Sequence, residues 1–590
     1  MAHKTITGIP VSAGVSIGKA FFLNRNRFRH LPRQTILDTA IPGEVARLLR
    51  GFSEAETELE AIRRKVPKEL RENALIIDSH VMILKDPKLR ALAEKNIREL
   101  SINAEWALEK AVSELREAFS ALQDPYIRER MEDVRLVAER VQARLVGVVS
   151  DIGALQSRVV LMAHDLSPAD TVDLELDKIM SFATATGAKT SHTGILARSL
   201  QIPAIVGVND LEESVSDGDL VILDGFSGKI LVDPDDEELE YYTDLKIQFE
   251  QYQKTTIRFC HLPGETRDGF QLKVLANIEL FEEVAQVIDN GGEGVGLYRT
   301  EYSYMNRTEL PTEEELYEEY RDLASILAPS RLTLRTLDLG ADKMISHYGA
   351  LDESNPALGL RAIRFCMRYP QMFKTQLRAV LRAAVQGNVS LMFPMISGTQ
   401  ELRYAKDLLQ ICKRELAIEG KEFNPDLPVG IMMEVPSAVM IAEFLANEVD
   451  FFSIGTNDLI QYSLGIDRTN RHVAHLYQPL HPAIVRMIKY VVDAGHQAGI
   501  EVSVCGEMAA DPFCVPILMG MQVDCISLGP QAIPGIKRII RRANLQDCKQ
   551  LLKDVLQSST VTLTNRLVRE TIFKSFPEEL TFYTSLLDND

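Results

Sequence analysis

The chain has 590 residues, more than one hydrophobic core accommodates, so about two to four domains are expected. A formal net charge of −19 argues against nucleic acid or an anionic membrane as the main partner, and any phosphorylated ligand would need local arginines or a metal ion. Seven scattered cysteines with no CxxC pair, and the lack of a signal-like or membrane-length apolar run, predict a reduced, cytoplasmic protein.

Glycine-punctuated, strand-like segments come first, from Ile6-Thr7-Gly8-Ile9-Pro10 through Gly18-Lys19-Ala20-Phe21-Phe22. From about Pro42 to Val149 the pattern changes to long charged–apolar segments with little glycine. Leu75, Ile76, Ser79, Met82 and Ile83 recur at helical spacing there, as do Val134, Val137, Ala138 and Val141. Asp86-Pro87 and Asp124-Pro125 suit helix starts, because proline fits the first turn. Strand-like runs resume at Val159–Met162, Ala204–Gly207 and Leu220–Leu223 and end near Ile230–Pro234. This predicts a small α/β domain interrupted by an all-helical one.

Within the resumed block, Thr190-Ser191-His192-Thr193-Gly194-Ile195-Leu196-Ala197-Arg198 sets one histidine among three hydroxyls at a predicted helix start. Unpaired N–H groups and the positive dipole end favour an anion there. A neutral imidazole in that position can accept a phosphoryl group, with Arg198 helping to stabilise its charge. A plain role, with Thr190 or Ser191 capping the helix and His192 facing solvent, accounts for the fragment equally well.

Residues Glu237 to about Arg258 read as a connecting helix. Beyond them come eight short apolar runs separated by helical stretches: Val274–Ile278, Gly294–Tyr298, Leu332–Leu337, Ser390–Met395, Val429–Met433, Phe451–Ile454, Val502–Cys505 and Cys525–Leu528. Such a series fits a closed parallel (β/α)8 barrel of the TIM type. An open doubly wound sheet competes, but no Gly-x-Gly-x-x-Gly turn opens the first unit.

Functional residues of such barrels sit where strands end. Arg299 ends the second run, Arg335 lies in the third, and Arg361 follows in a long loop. Glu434 ends the fifth, Asn457 and Asp458 end the sixth, Arg468 follows, and Cys505 ends the seventh. The arginines can clamp a phosphate and a carboxylate through forked hydrogen bonds. Glu434 and Asp458 suit Mg2+, which takes few protein ligands. Singly, each has a plain alternative: a surface ion pair, a helix cap, a buried thiol. Their convergence at one end of successive strands favours a site for a small, doubly anionic phospho-compound.

These residues lie in motifs that resemble a known family. Gly-x-x-Thr-Ser-His-Thr-x-Ile around His192, with Ile202-Pro203-Ala204-Ile205-Val206-Gly207, resembles the phosphohistidine domain of phosphoenolpyruvate-using enzymes. The segments 294–301, 335–340, 355–364, 434–438, 451–459 and 505–507 match the same group, and the domain order resembles the Enzyme I family of the bacterial phosphotransferase system. The resemblance implies a swivelling phosphohistidine α/β domain over residues 1–26 and 147–234, with an inserted all-helical domain over 27–146 that docks the phosphocarrier HPr. It also implies a linker helix over 235–262 and a (β/α)8 barrel over 263–590 that binds phosphoenolpyruvate and Mg2+ and forms a homodimer.

By the same resemblance His192 is the phosphorylated residue, and the hydroxyl of Thr171 hydrogen-bonds it. Arg299, Arg335, Arg468 and Asn457 hold phosphoenolpyruvate, with Arg361 on the phosphate side. Asp458 and Glu434 ligate Mg2+, and Cys505 protonates the departing enolpyruvate. Ala188 and Ala341 stand where many members have glycine. A nitrogen-regulatory variant of the family is the nearest alternative. A phosphoenolpyruvate synthase or pyruvate phosphate dikinase is disfavoured, because no nucleotide-binding domain is evident.

Overall fold

Two sequence patterns, buried apolar runs and amphipathic helical stretches, build most elements among the described residues. The computed structural model describes residues 4–23, 33–65, 79–120, 125–146, 157–166, 178–187, 197, 202–305, 307, 309–340, 355–468, 470 and 472–576. The chain forms two compact units, Met1–Glu250 and Gln251–Asp590.

In the first unit the opening segments form β1 (Lys4–Thr7), β2 (Ile9–Ser12) and β3 (Val15–Phe22). The later runs form β4 (Val159–Ala163), β5 (Ile179–Thr184), β6 (Ala204–Val206), β7 (Leu220–Asp224) and β8 (Lys229–Val232). They join one mixed sheet in the order β1-β8-β7-β3-β4-β5-β6-β2. The β3-β4-β5-β6 pairs are parallel and the rest antiparallel. All five residues of β4 are buried, as expected of a parallel strand covered on both faces. The sequence pattern does not single out β5, because Ser181 and Thr184 break its apolar run. Both are nonetheless buried, Ser181 against the hydroxyl of Ser16.

Four long helices, Ile41–Lys65, Pro87–Leu100, Ala104–Ser120 and Pro125–Val146, share a core that includes Leu48, Leu59, Ile97, Leu108 and Val141. Asp86 starts the second of them by accepting a hydrogen bond from Lys88 N at 2.9 Å, with Pro87 in the first turn. Val137, Ala138 and Val141 face inward as their spacing predicts, whereas Met82 is 72% exposed. Leu75, Ile76 and Asp124 lie outside the described residues.

The second unit holds the predicted barrel. Its strands are β9 (Lys273–Ile278), β10 (Gly294–Arg299), β11 (Arg331–Arg335), β12 (Val389–Phe393), β13 (Val429–Met433), β14 (Phe451–Gly455), β15 (Glu501–Cys505) and β16 (Cys525–Leu528). All neighbours are parallel, and β16 closes on β9 with Cys525 opposite Lys273. One apolar core runs between these strands and the outer helices. Two predicted runs overshoot their strands. Thr336 and Leu337 have left β11, and Leu337 N donates to Gln376 Oε1 at 3.1 Å. Met395 has left β12 and sits at φ +56°. Among the described residues no helix is long and apolar enough to cross a membrane.

Candidate active site

Beyond the C-terminal ends of the barrel strands lies a cleft of about 940 Å³. Arg299 is the last residue of β10 and Arg335 the last of β11, so the strand register delivers both guanidiniums to one mouth. Arg335 is buried; its Nη2 donates to Glu301 Oε1 at 2.7 Å, and its Nη1 lies 3.1 Å from Asp338 Oδ2. Arg361 donates to Asp338 Oδ1 from Nη2 at 2.9 Å and from Nε at 3.2 Å, and to the Tyr462 hydroxyl at 3.0 Å. Burial opposes the charge on both arginines, yet the facing carboxylates win and hold them firmly protonated. Asp338 behaves reciprocally: burial disfavours its charge, but Arg335 and Arg361 keep its pKa below the usual carboxylate value.

Glu434 follows β13 directly and is 1% exposed. Its Oε1 accepts a hydrogen bond from Met395 N at 2.6 Å, which accounts for the unusual backbone at Met395. Gly455 makes room for it, because a Cβ there would approach Glu434 Oε2 to 2.7 Å. Burial, reinforced by the charges of Asp458 and Asp338, pushes the Glu434 carboxyl well above its ordinary pKa.

Asn457 and Asp458 correct the sequence expectation slightly. The sixth strand ends at Gly455, and both residues occupy the first turn of the helix Thr456–Leu464. Asn457 Oδ1 accepts from Glu507 N at 2.9 Å and from the Tyr477 hydroxyl at 3.1 Å. Gly506, at φ +95°, permits that approach, since a Cβ would lie 2.8 Å from Asn457 Oδ1. Asp458 Oδ2 lies 3.6 Å from Arg361 Nη2, and Arg468 Nη1 lies 3.8 Å from Glu507 Oε1. Cys505 ends β15 with Leu297, Met392, Met432 and Phe451 around it. Its thiol receives a hydrogen bond from Ser453 Oγ at 3.5 Å and donates to Ile454 O at 3.5 Å. Burial outweighs the Ser453 contact and pushes the thiol pKa up to about 11.

Comparison with known proteins bears directly on this arrangement. The chain matches the PEP-binding domain of PEP-utilising enzymes over residues 253–545, their N-terminal region over 7–130 and their mobile domain over 155–228. A phosphoenolpyruvate-protein phosphotransferase of Priestia megaterium is 40% identical over 96% of this chain and 99% of its own length. The proteins of the same name from Listeria monocytogenes and Geobacillus stearothermophilus are each 39% identical over 96% of this chain, and over 99% and 98% of their own lengths respectively. The chain belongs to the phosphoenolpyruvate-protein phosphotransferase family.

In this phosphotransferase the cleft gathers all eight predicted barrel residues: Arg299, Arg335, Arg361, Glu434, Asn457, Asp458, Arg468 and Cys505. His192 and Thr171 lie outside the described residues, as do Ala188 and Ala341. Sequence reasoning did not assign Glu279, Glu301, Asp338 or Tyr462 to the site, yet all four line the cleft. A signal for two of them was present. Glu301 lies two residues after Arg299 and Asp338 three after Arg335, so each arginine at a strand end is soon followed by an acid. Among the described lining residues, six carboxylates face four arginines.

Proposed function

We propose that this chain takes the phosphoryl group of phosphoenolpyruvate onto His192, releases pyruvate, and passes the group to a histidine of an HPr-like phosphocarrier protein. One observation carries the proposal: four arginines, six carboxylates that include Glu434 and Asp458, and a protonated thiol converge on one barrel mouth. Relatives about 40% identical across nearly the whole chain bear the corresponding name.

Arg299, Arg335, Arg468 and Asn457 bind the phosphate and carboxylate of the substrate, and Arg361 orders the phosphate side. Forked guanidiniums suit both groups. Glu434 and Asp458 are fitted to a divalent ion: both offer hard oxygen donors, and a cation would relieve the unfavourable burial of Glu434. The carboxylate excess of the cleft supports the same assignment. Mg2+ bound there would neutralise phosphoryl charge.

With the substrate so held, a ring nitrogen of His192 attacks phosphorus while Thr171 orients the imidazole. An N–P bond forms, the bridging P–O bond breaks, and its electron pair remains on the enolate oxygen. The Cys505 S–H then gives its proton to the enolate methylene carbon, pyruvate leaves, and water restores the thiol. A pKa of about 11 keeps this thiol protonated at neutral pH, as an acid requires. In the second step the N–P bond breaks as the phosphoryl group moves to the carrier's histidine, docked on the helical insert. The two steps require the phosphohistidine domain to swivel. Assembly as a homodimer through the barrel domain is part of the proposal. All seven cysteines are free and buried, which supports work in the reducing cytoplasm.

Incubation with Mg2+ and phosphoenolpyruvate labelled in its phosphate should place acid-labile label on His192, and His192→Ala should abolish it. Labelling that depends on ATP would refute the proposal. Label passed on to added HPr identifies the acceptor.

A further inference from the structure

Glu279 stands apart from the buried carboxylates of the cleft. It follows β9 directly, and because Ile278 of β9 pairs with Tyr298 of β10, the next residues on the two strands, Glu279 and Arg299, come face to face. The Glu279 carboxylate is ion-paired with Arg299 Nη1. The backbone beneath is built to hold it: Glu283 Oε2 accepts from Glu279 N at 2.7 Å and from Leu280 N at 2.9 Å. The Glu301 and Asp338 side chains are only 11% and 3% exposed and each engages more than one group, whereas the Glu279 side chain is 37% exposed on the cleft wall.

We propose that Glu279 is a substrate-competing carboxylate, holding Arg299 until the anionic group of phosphoenolpyruvate takes its place, and so setting substrate affinity. This rests on the assignment of Arg299 to substrate binding. A solvent-exposed ion pair is weak, while a guanidinium–phosphate fork is among the strong charge-assisted contacts, so the exchange runs toward substrate. The exchange still consumes part of the binding energy. The displaced carboxylate also remains near a multiply charged anion, in a cleft where carboxylates already outnumber arginines. Glu279 therefore weakens binding of the ground state and keeps KM high.

The test is steady-state kinetics of pyruvate release on the full-length protein at saturating Mg2+. Glu279→Gln should lower KM for phosphoenolpyruvate by about threefold to tenfold, with the change in KM rather than kcat. Glu279→Asp, which keeps the charge, should restore a KM near that of the natural protein. Combined with Arg299→Ala, the Glu279→Gln effect should vanish. A raised KM in Glu279→Gln would mean that the carboxylate positions Arg299 for substrate, and would overturn the proposal. So would an effect that persists without Arg299. If Arg299→Ala alone leaves KM unchanged, it is the assignment of Arg299 to substrate that fails.

Discussion

Asp338→Asn removes one negative charge from a cleft that receives an anion, so simple electrostatics predicts tighter substrate binding. The structure predicts the opposite. The Asp338 side chain is 3% exposed and bridges two guanidiniums, accepting from Arg361 at 2.9 and 3.2 Å and lying 3.1 Å from Arg335. Asparagine keeps the shape, but it turns an N–H2 group toward groups that are themselves donors. Breaking a buried ion pair from one side costs about 3–5 kcal/mol. Here each arginine retains a second acid, Glu301 at 2.7 Å from Arg335 and Asp458 at 3.6 Å from Arg361, so the low end applies. That cost falls on folding stability, whereas displacing a substrate-holding guanidinium by about 1 Å costs roughly 10²-fold in rate. We therefore expect kcat/KM for phosphoenolpyruvate to fall about a hundredfold with KM raised, measured by pyruvate release alongside a thermal melt. A variant with KM at or below that of the natural protein and an unaltered melt would refute the positioning role.

Cys505→Ala should lower turnover by about 10²–10⁴-fold while KM for phosphoenolpyruvate stays within about threefold. A dominant KM effect would relocate the thiol's role to binding. Because burial holds this thiol near a pKa of about 11, its alkylation at pH 8 should be far slower than that of an exposed cysteine, as peptide mapping would show. Chelation of divalent ions should abolish labelling of His192 and added Mg2+ should restore it; labelling that survives chelation would remove Glu434 and Asp458 from ion binding. Away from the cleft, Glu313 accepts from Arg378, Arg382 and Lys421, and despite opposing burial these cations lower its pKa from 4.5 to about 2. Its folded-state pKa is depressed, so its stabilisation is complete above pH 4.5 and is lost as pH falls toward about 2. Discounted for solvent screening, Glu313→Gln should destabilise by about 1 kcal/mol at neutral pH and by less near pH 3. Denaturant titrations at both pH values check this, and equal differences would count against it.

Much of the barrel is legible in the sequence because both faces of its strands are covered, which makes them continuous apolar runs. Where those runs overshoot, the cause is chemical. Leu337 and Met395 are apolar and buried, but their backbone N–H groups leave the ladder to satisfy Gln376 and Glu434. β5 escapes notice for the opposite reason, since Ser181 and Thr184 are polar yet fully buried. At the site, the arginines and Cys505 stand out because such residues are unexpected at the end of an apolar strand. Glu279 does not, because an acid beyond a strand end ordinarily reads as solvated loop, and Glu301 and Asp338 are hinted at only by the arginines that precede them. Only three-dimensional burial distinguishes an acid that faces water from one that faces a guanidinium.

Burial also sorts the carboxylates of the cleft by what each can do. Asp338 and Glu301 are desolvated but matched by arginines, so their charges are tied up in holding those arginines still. Glu434 is equally desolvated, and burial together with the charges of Asp458 and Asp338 raises its pKa by more than Arg335 lowers it. A carboxylate in that position either takes up a proton or acquires a cation, and a divalent ion held with Asp458 resolves the imbalance while adding positive charge where an anionic substrate needs it. Glu279 keeps access to water, so its pair with Arg299 is one that a substrate can exchange at modest cost. Neutralising these acids in turn should therefore raise KM at Asp338, raise the Mg2+ concentration that labelling requires at Glu434 and lower KM at Glu279. Charge alone would predict one common direction for all three.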